Sequence, residues 1–155
     1  MIPEEIQKFE EAAALEAQDP TVLAGGKFDR GELTLDVARA KIAAACEWFK
    51  SRGYVLLEDI TATDWWPVEP RLRVVYHLYA IPGFKRVRLA VRVPGDDPRL
   101  DSVTSVYPAA NWYERELYDL FGVHFNGHPD LRRIMMPDDW EGHPLRKDFP
   151  TEGLR

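Results

Sequence analysis

RLRVVYHLYAIPGFKRVRLAVRV, residues 71–93, alternates between apolar and polar side chains on both sides of a single Pro-Gly break. From Phe84 to Val93, the residues Val87, Leu89, Val91 and Val93 fall on one face and Arg86, Arg88 and Arg92 on the other. From Arg71 to Ile81 the apolar set is Leu72, Val74, Tyr76, Leu78 and Ala80, set against Arg73, His77 and Tyr79. A period of two marks strands with one buried face. With Pro82-Gly83 as the turn, Leu78 faces Val87, Tyr76 faces Leu89 and Val74 faces Val91. The polar face then sets Tyr79 against Arg86, His77 against Arg88 and Arg73 against Arg92. Like charges directly opposite one another destabilise a sheet, so this face either meets solvent or is covered by an acidic surface of this chain or a neighbour.

Towards the amino terminus, Tyr54 to Ala62 reads as another strand, and Trp65-Trp66-Pro67 with Pro70 as an irregular loop. Val37, Ala38, Ile42, Ala45, Cys46 and Phe49 fall on one face of a helix ended by Gly53, with Leu33 to Leu35 as a short strand leading into it. Gly25-Gly26 and Gly31 bracket a loop. Ile2 to Ala17 predicts one helix with Ile2, Ile6, Phe9, Ala13 and Ala17 inward, stopped before Pro20.

Towards the carboxyl terminus, Ser102 to Val106 reads as a brief strand. A helix follows, with Asn111 and Glu114 at capping-box spacing, an apolar stripe of Tyr113, Leu117, Leu120 and Phe121, and Gly122 as terminator. Residues 129–155 hold Pro129, Pro137, Pro144 and Pro150, which exclude a long helix or central strand. They also hold Ile134, Met135, Met136, Trp140, Leu145 and Phe149, which a disordered tail would lack. The division is a body, 1–128, and an extended strap, 129–155, whose piece Arg132 to Met136 is extended or a short strand.

A chain of 155 residues with 45% hydrophobic and 30% charged side chains is an ordinary folding sequence. Its longest apolar run, Ile42 to Cys46, is far short of the roughly 20 residues of a membrane helix. The amino terminus lacks the basic flank and apolar run of a secretory signal. A net charge of −6 argues against nucleic acid or anionic lipid as partners, although residues 61–100, with 7 basic against 4 acidic side chains, form a basic island. Cys46 is the only cysteine, too few for an iron–sulfur cluster with about four thiolates, and its place on an apolar face suits a small buried hydrophobe.

His124-x-x-x-His128, with Asp130 and Glu141 nearby, has the spacing of two zinc ligands on a helix. Gly122, Asn126-Gly127 and Pro129 break any helix through both, so ordinary loop hydrogen bonding is the favoured role. Glu114, Glu116 and Asp119 crowd one helix, but capping by Glu114 and an Arg115–Asp119 ion pair account for most of them. No nucleophile elbow, phosphate-cradling loop or dinucleotide fingerprint occurs.

NWYERELYDLFGV (111–123), FNGHPDLRRI (125–134) and PDDWEGHPLRKDFP (137–150), with weaker DITATD (59–64) and YHL (76–78), resemble the signature of the C subunit of respiratory complex I, the 30 kDa subunit family of NADH:quinone oxidoreductase. The first fifty residues carry no such mark. The resemblance implies an α+β, two-layer domain with helices on one side of a mixed, largely antiparallel sheet, plus the carboxyl-terminal strap. It implies no cofactor in this chain, with NADH, flavin, iron–sulfur clusters and quinone on partner subunits. It also implies a peripheral place in the hydrophilic arm, on the cytoplasmic side of the membrane, chiefly against the D subunit. Under it, Glu114, Arg115, Glu116 and Asp119 orient the helix and engage charged neighbours, while Arg132, Arg133, Arg146, Lys147 and Asp148 hold the strap to its partner. Trp112, Trp140 and Phe149 are apolar anchors for a partner or for the domain's own core. Two rivals stand beside it: the equivalent subunit of a membrane-bound nickel-iron hydrogenase or formate-hydrogen lyase, and a free-standing metal-dependent hydrolase using His124, His128 and a carboxylate.

Overall fold

The computed structural model describes residues 2–152. Two short helices, α1 (Glu4–Gln7) and α2 (Glu10–Gln18), precede strands β1 (Leu23–Asp29) and β2 (Glu32–Val37). A 3-10 turn, Arg39–Lys41, leads into α3 (Ile42–Ser51), and β3 (Leu56–Asp64), β4 (Leu72–Tyr79) and β5 (Arg86–Val93) follow. The five strands form one sheet of order β1-β2-β5-β4-β3, antiparallel except where β2 meets β5. Then come β6 (Arg99–Asp101), α4 (Ala110–Phe121) and β7 (His124–Asn126), with β6 and β7 paired in parallel apart from the main sheet. No helix among the described residues is long and apolar enough to cross a membrane.

One sheet face buries Leu35, Val37, Leu72, Val74, Tyr76, Leu78, Leu89 and Val91 against Ile6, Leu15, Ile42, Phe49 and Leu117 of the helices. The helices therefore share one side, as expected for a two-layer α+β domain. β4 and β5 pair in the register read from the alternation, including Tyr76 with Leu89 and His77 with Arg88. Their connection spans Ile81–Phe84 rather than two residues, because Ala80 and Lys85 extend the pairing and Phe84 enters the left-handed region at φ 55°.

The opposite face relieves its stacked cations with acids from this same chain. Arg88 reaches Glu32 on β2 and donates from Nε to Nε2 of His77 at 3.0 Å, and His77 Nδ1 donates to Asp59 on β3 at 2.5 Å. Arg73 crosses the small Ala90 to reach Asp36 at 3.0 Å, Arg86 pairs with Glu58 at 3.2 Å, and Arg92 lies over the Trp65 ring. Exposed pairs of this kind contribute only about 0–1 kcal/mol each. Their effect is to remove a repulsion that would disfavour the register.

Five expectations change. The single amino-terminal helix breaks at Phe9, which turns extended (ψ 123°) and packs its ring on Phe28 at 4.8 Å. The break re-aims α2, so that Ala12 and Leu15 are buried while Ala13 and Ala17 face solvent. Gly25-Gly26 lies inside β1 rather than in a loop, since a side chain at Gly26 would stand 2.8 Å from the Thr34 carbonyl oxygen across the strand pair. The turn falls instead at Arg30-Gly31, both at positive φ, as a tight hairpin requires. Val37 belongs to β2 and α3 begins only at Ile42. The brief strand is Arg99–Asp101, upstream of Ser102 to Val106, and Arg132 to Met136 forms no strand.

Gly26→Ala is expected to lower the unfolding free energy by about 1–3 kcal/mol in urea titrations, because the obstacle is backbone and cannot rotate away. An unchanged midpoint would show that the β1–β2 approach is not the constraint described.

Candidate partner-binding surface

α4 carries three charged residues into the interior. Glu114 and Asp119 are fully buried and Arg115 nearly so. Glu114 does not cap the helix: Ala109 holds the cap position without a side-chain bond, and Asn111 sits inside the first turn. The Glu114 carboxylate instead accepts the Ser102 hydroxyl and the Val103 N–H, both at 2.7 Å, and so ties the loop after β6 to α4. His128 Nε2 stands 3.9 Å away, but its N–H donates to the Asn111 carbonyl while Nδ1 accepts the Asp130 N–H. The ring therefore supplies no counter-charge, and burial pushes the Glu114 carboxyl up to about 7 against those two hydrogen bonds.

Asp119 is not paired with Arg115. Its Oδ2 accepts the backbone N–H groups of Ile134, Met135 and Met136 at 2.7–3.0 Å, and its Oδ1 accepts Arg133 Nη1 at 2.7 Å. Burial opposes ionisation here, yet the Met136 N–H, the Arg133 guanidinium and the other two N–H groups outweigh it and hold the carboxyl below the ordinary range. Its carbonyl accepts from Arg133 and His143 Nδ1. Arg115 points to the carbonyls of Arg132 and Arg133 at 3.3 Å and stacks on Trp112. Glu116 is half-buried on the same helix.

Downstream, the chain runs back along α4. Leu145 N–H donates to the Leu120 carbonyl, and His143 packs where Gly122 has no side chain; a Cβ there would stand 2.6 Å from the ring. The segment then reaches the end of β3. Arg71, 4% exposed, grips Asp64 through Nε (2.9 Å) and Nη2 (2.6 Å) and Asp148 through both terminal nitrogens, each at 2.9 Å. Asp64 also accepts the Lys147 N–H at 2.8 Å, while Arg146 donates to the Gly95 carbonyl. The Arg71 guanidinium first, then the Lys147 and Trp66 N–H groups, hold Asp64 well below the usual carboxylate range despite burial. Asp148 is lowered by the same guanidinium.

Thus Arg133, Arg146 and Asp148 bind the strap to this chain's own body. Arg132 pairs with Asp130 at the surface, and Lys147 is exposed. Asp64 and Arg71 were missed as functional residues by sequence reasoning. The available signal was an acid two residues past one predicted strand and a base opening the next across a proline-rich loop. Outside this framework stand Trp65, Trp66, Val68, Trp112, Met135, Trp140 and Leu145, all exposed, with Phe149 half-buried. Gly153–Arg155, the last residues of the strap, lie outside the described residues. His124 is exposed on β7 while the His128 side chain is buried beside Glu114, and among the described residues no three His, Cys, Asp or Glu side chains gather as a metal site. Burial, then the Glu114 charge, pushes the Cys46 thiol far up, so it is not a nucleophile.

Residues 35–155 match the family described as the respiratory-chain NADH dehydrogenase 30 Kd subunit. The chain belongs to that family. The C subunit of the NADH-quinone oxidoreductase of Geobacter sulfurreducens is 55% identical over 126 residues, covering 80% of this chain and 78% of that one. Its counterpart in Cereibacter sphaeroides is 43% identical over 155 residues, covering 98% and 76%. Among solved structures, a trypsin-resistant fragment of Nqo5 superposes with a TM-score of 0.68 at 35% identity, over 77% of this chain and 97% of that one. A chain of an archaeal respiratory complex, the membrane-bound sulfane sulfur reductase, superposes at 0.78 with 33% identity, over 92% and 85%.

The span matched to the 30 kDa subunit family starts within β2 and takes in both buried carboxylates of α4 and the Arg71 clamp, leaving α1, α2 and β1 outside it. Asp119→Ala in this family member is expected to cost about 3–5 kcal/mol in urea unfolding, since it strands Arg133 and three N–H groups, whereas Glu116→Ala stays within about 0.5 kcal/mol. Glu114 gives a pH signature. Its folded carboxyl titrates at about 7 against an ordinary 4.5, so the folded state holds the extra proton between those values and stability falls as pH rises through that window. Asp64, Asp119 and Asp148 act in another window, losing their contribution as pH falls below about 3.8. Glu114→Gln is expected to flatten the slope between pH 4.5 and 7 and to be more stable than the parent at pH 8, by about 3 kcal/mol or less. Parallel stability curves for the two proteins would refute this.

Proposed function

We propose that the protein is an accessory structural subunit of the hydrophilic arm of a proton-translocating NADH:quinone oxidoreductase, supporting electron transfer from NADH to quinone without a cofactor of its own. NADH, flavin, iron–sulfur clusters and quinone then sit on partner subunits, chiefly the D subunit and its neighbours, and the protein lies peripherally on the cytoplasmic side of the membrane. Residues 1–128 are the body and 129–155 the strap that meets those partners.

The observation that carries this reading is the strap itself. Its N–H groups at 134–136 and 147 and the side chains of Arg133 and Asp148 turn inward to Asp119, Asp64 and Arg71, while Met135, Trp140 and Leu145, with Trp112 of α4, stay in solvent. Large apolar residues left exposed on a hydrogen-bonded backing are a usual mark of a protein interface. The family, and the naming of its members as C subunits of NADH-quinone oxidoreductase, supply the assembly.

A second reading, the equivalent subunit of a membrane-bound nickel-iron hydrogenase or formate-hydrogen lyase, draws on the likeness to the sulfane sulfur reductase complex, a respiratory assembly of another kind. Purification of the tagged chain from its native membranes separates the two: flavin and NADH oxidation favour the first, nickel the second. The triple variant Met135→Ser, Trp140→Ser, Leu145→Ser changes only exposed positions and is expected to fold normally by circular dichroism. It should retain less than about a tenth of the co-purifying subunits and of the membrane NADH:quinone activity. Full retention of both would rule out the strap as an interface.

A further inference from the structure

Trp140 and Phe149 lie with their rings nearly parallel, 20° apart and 6.4 Å between centroids, although the chain between them makes no helix or strand. Several bonds hold that arrangement. Trp140 N–H donates to the Pro137 carbonyl and Phe149 N–H to that of Arg146, each at 3.0 Å. Arg133 holds the Gly142 carbonyl, and Arg71 holds Asp148 next to the Phe149 ring. With Asp139 and Glu141, the two rings line a shallow depression.

The charges around this depression are unbalanced in one direction. Asp138, Asp139 and Glu141 are exposed, and no hydrogen bond or ion pair engages them among the described residues. The other acids of this region are answered: Asp119 by Arg133, Asp130 by Arg132, and Asp64 and Asp148 by Arg71. Arg146 is turned to the Gly95 carbonyl. Among the described residues the guanidinium groups of this face are turned elsewhere, and Lys147 is the exposed cation left on the strap, so no planar cation of the described residues matches the two carboxylates beside the exposed aromatic pair.

We infer that the Trp140–Phe149 depression seats an arginine side chain of a partner subunit. A guanidinium is planar and weakly hydrated, so it stacks on a ring face while its edge donates to carboxylates on either side; a lysine ammonium does only the second. The seat rests on the reading of the strap as an interface and gives that interface its chemistry: the exposed apolar residues supply buried area, and this seat supplies orientation and partner choice.

The test uses the intact complex, isolated from native membranes through the tagged chain, with partner subunits counted by mass spectrometry after graded salt washes. Asp139→Asn with Glu141→Gln, and separately Trp140→Leu, are expected to leave the fold intact by circular dichroism and to reduce partner retention about tenfold at moderate salt. Trp140→Phe, which keeps a ring, should retain most of it. Photo-cross-linking from a benzoylphenylalanine placed at Asp138 should mark a partner segment that contains an arginine. A marked segment without arginine, no cross-link to another chain, or full retention by the Asn/Gln and Leu variants would overturn the seat. If the triple strap variant still releases the partners, the interface stands and only the seat falls. If that variant also retains them, both fall.

Discussion

The carboxylate of Asp119 is the constraint on which the carboxyl-terminal third depends. It is fully buried at the far end of α4, where an ion without donors would cost several kcal/mol. Three successive backbone N–H groups and one guanidinium converge on it. That convergence bends residues 133–136 into a cradle and sets the path of the strap beyond them. A segment with prolines at 129, 137, 144 and 150 has no regular helix or strand in which to pair its N–H donors. It is ordered because the donors it has are accepted by α4 and β3, at Asp119, Leu120 and Asp64.

Arg71 closes the other end. Its guanidinium joins the last residue of β3 to Asp148 of the strap, so the proline-rich loop after β3 and the strap become one rigid corner. At the two clamps the usual distribution of residues is inverted, with Asp64, Arg71 and Asp119 inside while Trp65, Trp66, Met135 and Trp140 stand outside. Folding alone would favour the reverse. The inversion is the arrangement expected of a chain that keeps its clamp charges for its own scaffold and leaves large apolar groups at the surface.

The sheet follows a related logic on its helix-free face. The two central strands carry arginines and histidine opposite one another, and the acids that relieve them stand on the flanking strands, Glu32 and Asp36 on β2 and Glu58 and Asp59 on β3. Strand order thereby acquires a charge code. The repulsion between β4 and β5 is relieved while β2 and β3 lie beside them.

Alternation through residues 71–93 determined the central hairpin and its register, since side-chain direction along a strand is a local property of the backbone. Gly122 as a helix terminator was legible for the same reason. The signature around α4 and the strap carried the family before any coordinate did. Local spacing misled where a distant group outbid a near one. Glu114 stands three residues from Asn111 yet bonds to Ser102 and Val103, and Asp119 stands four from Arg115 yet takes Arg133 and three N–H groups. Phe9 likewise left its helix for Phe28. The partner of a buried charge is whichever donor the completed fold brings to it once water is gone, and no window of sequence contains that choice. Which acids are clamps and which are left exposed was therefore decided by tertiary structure alone.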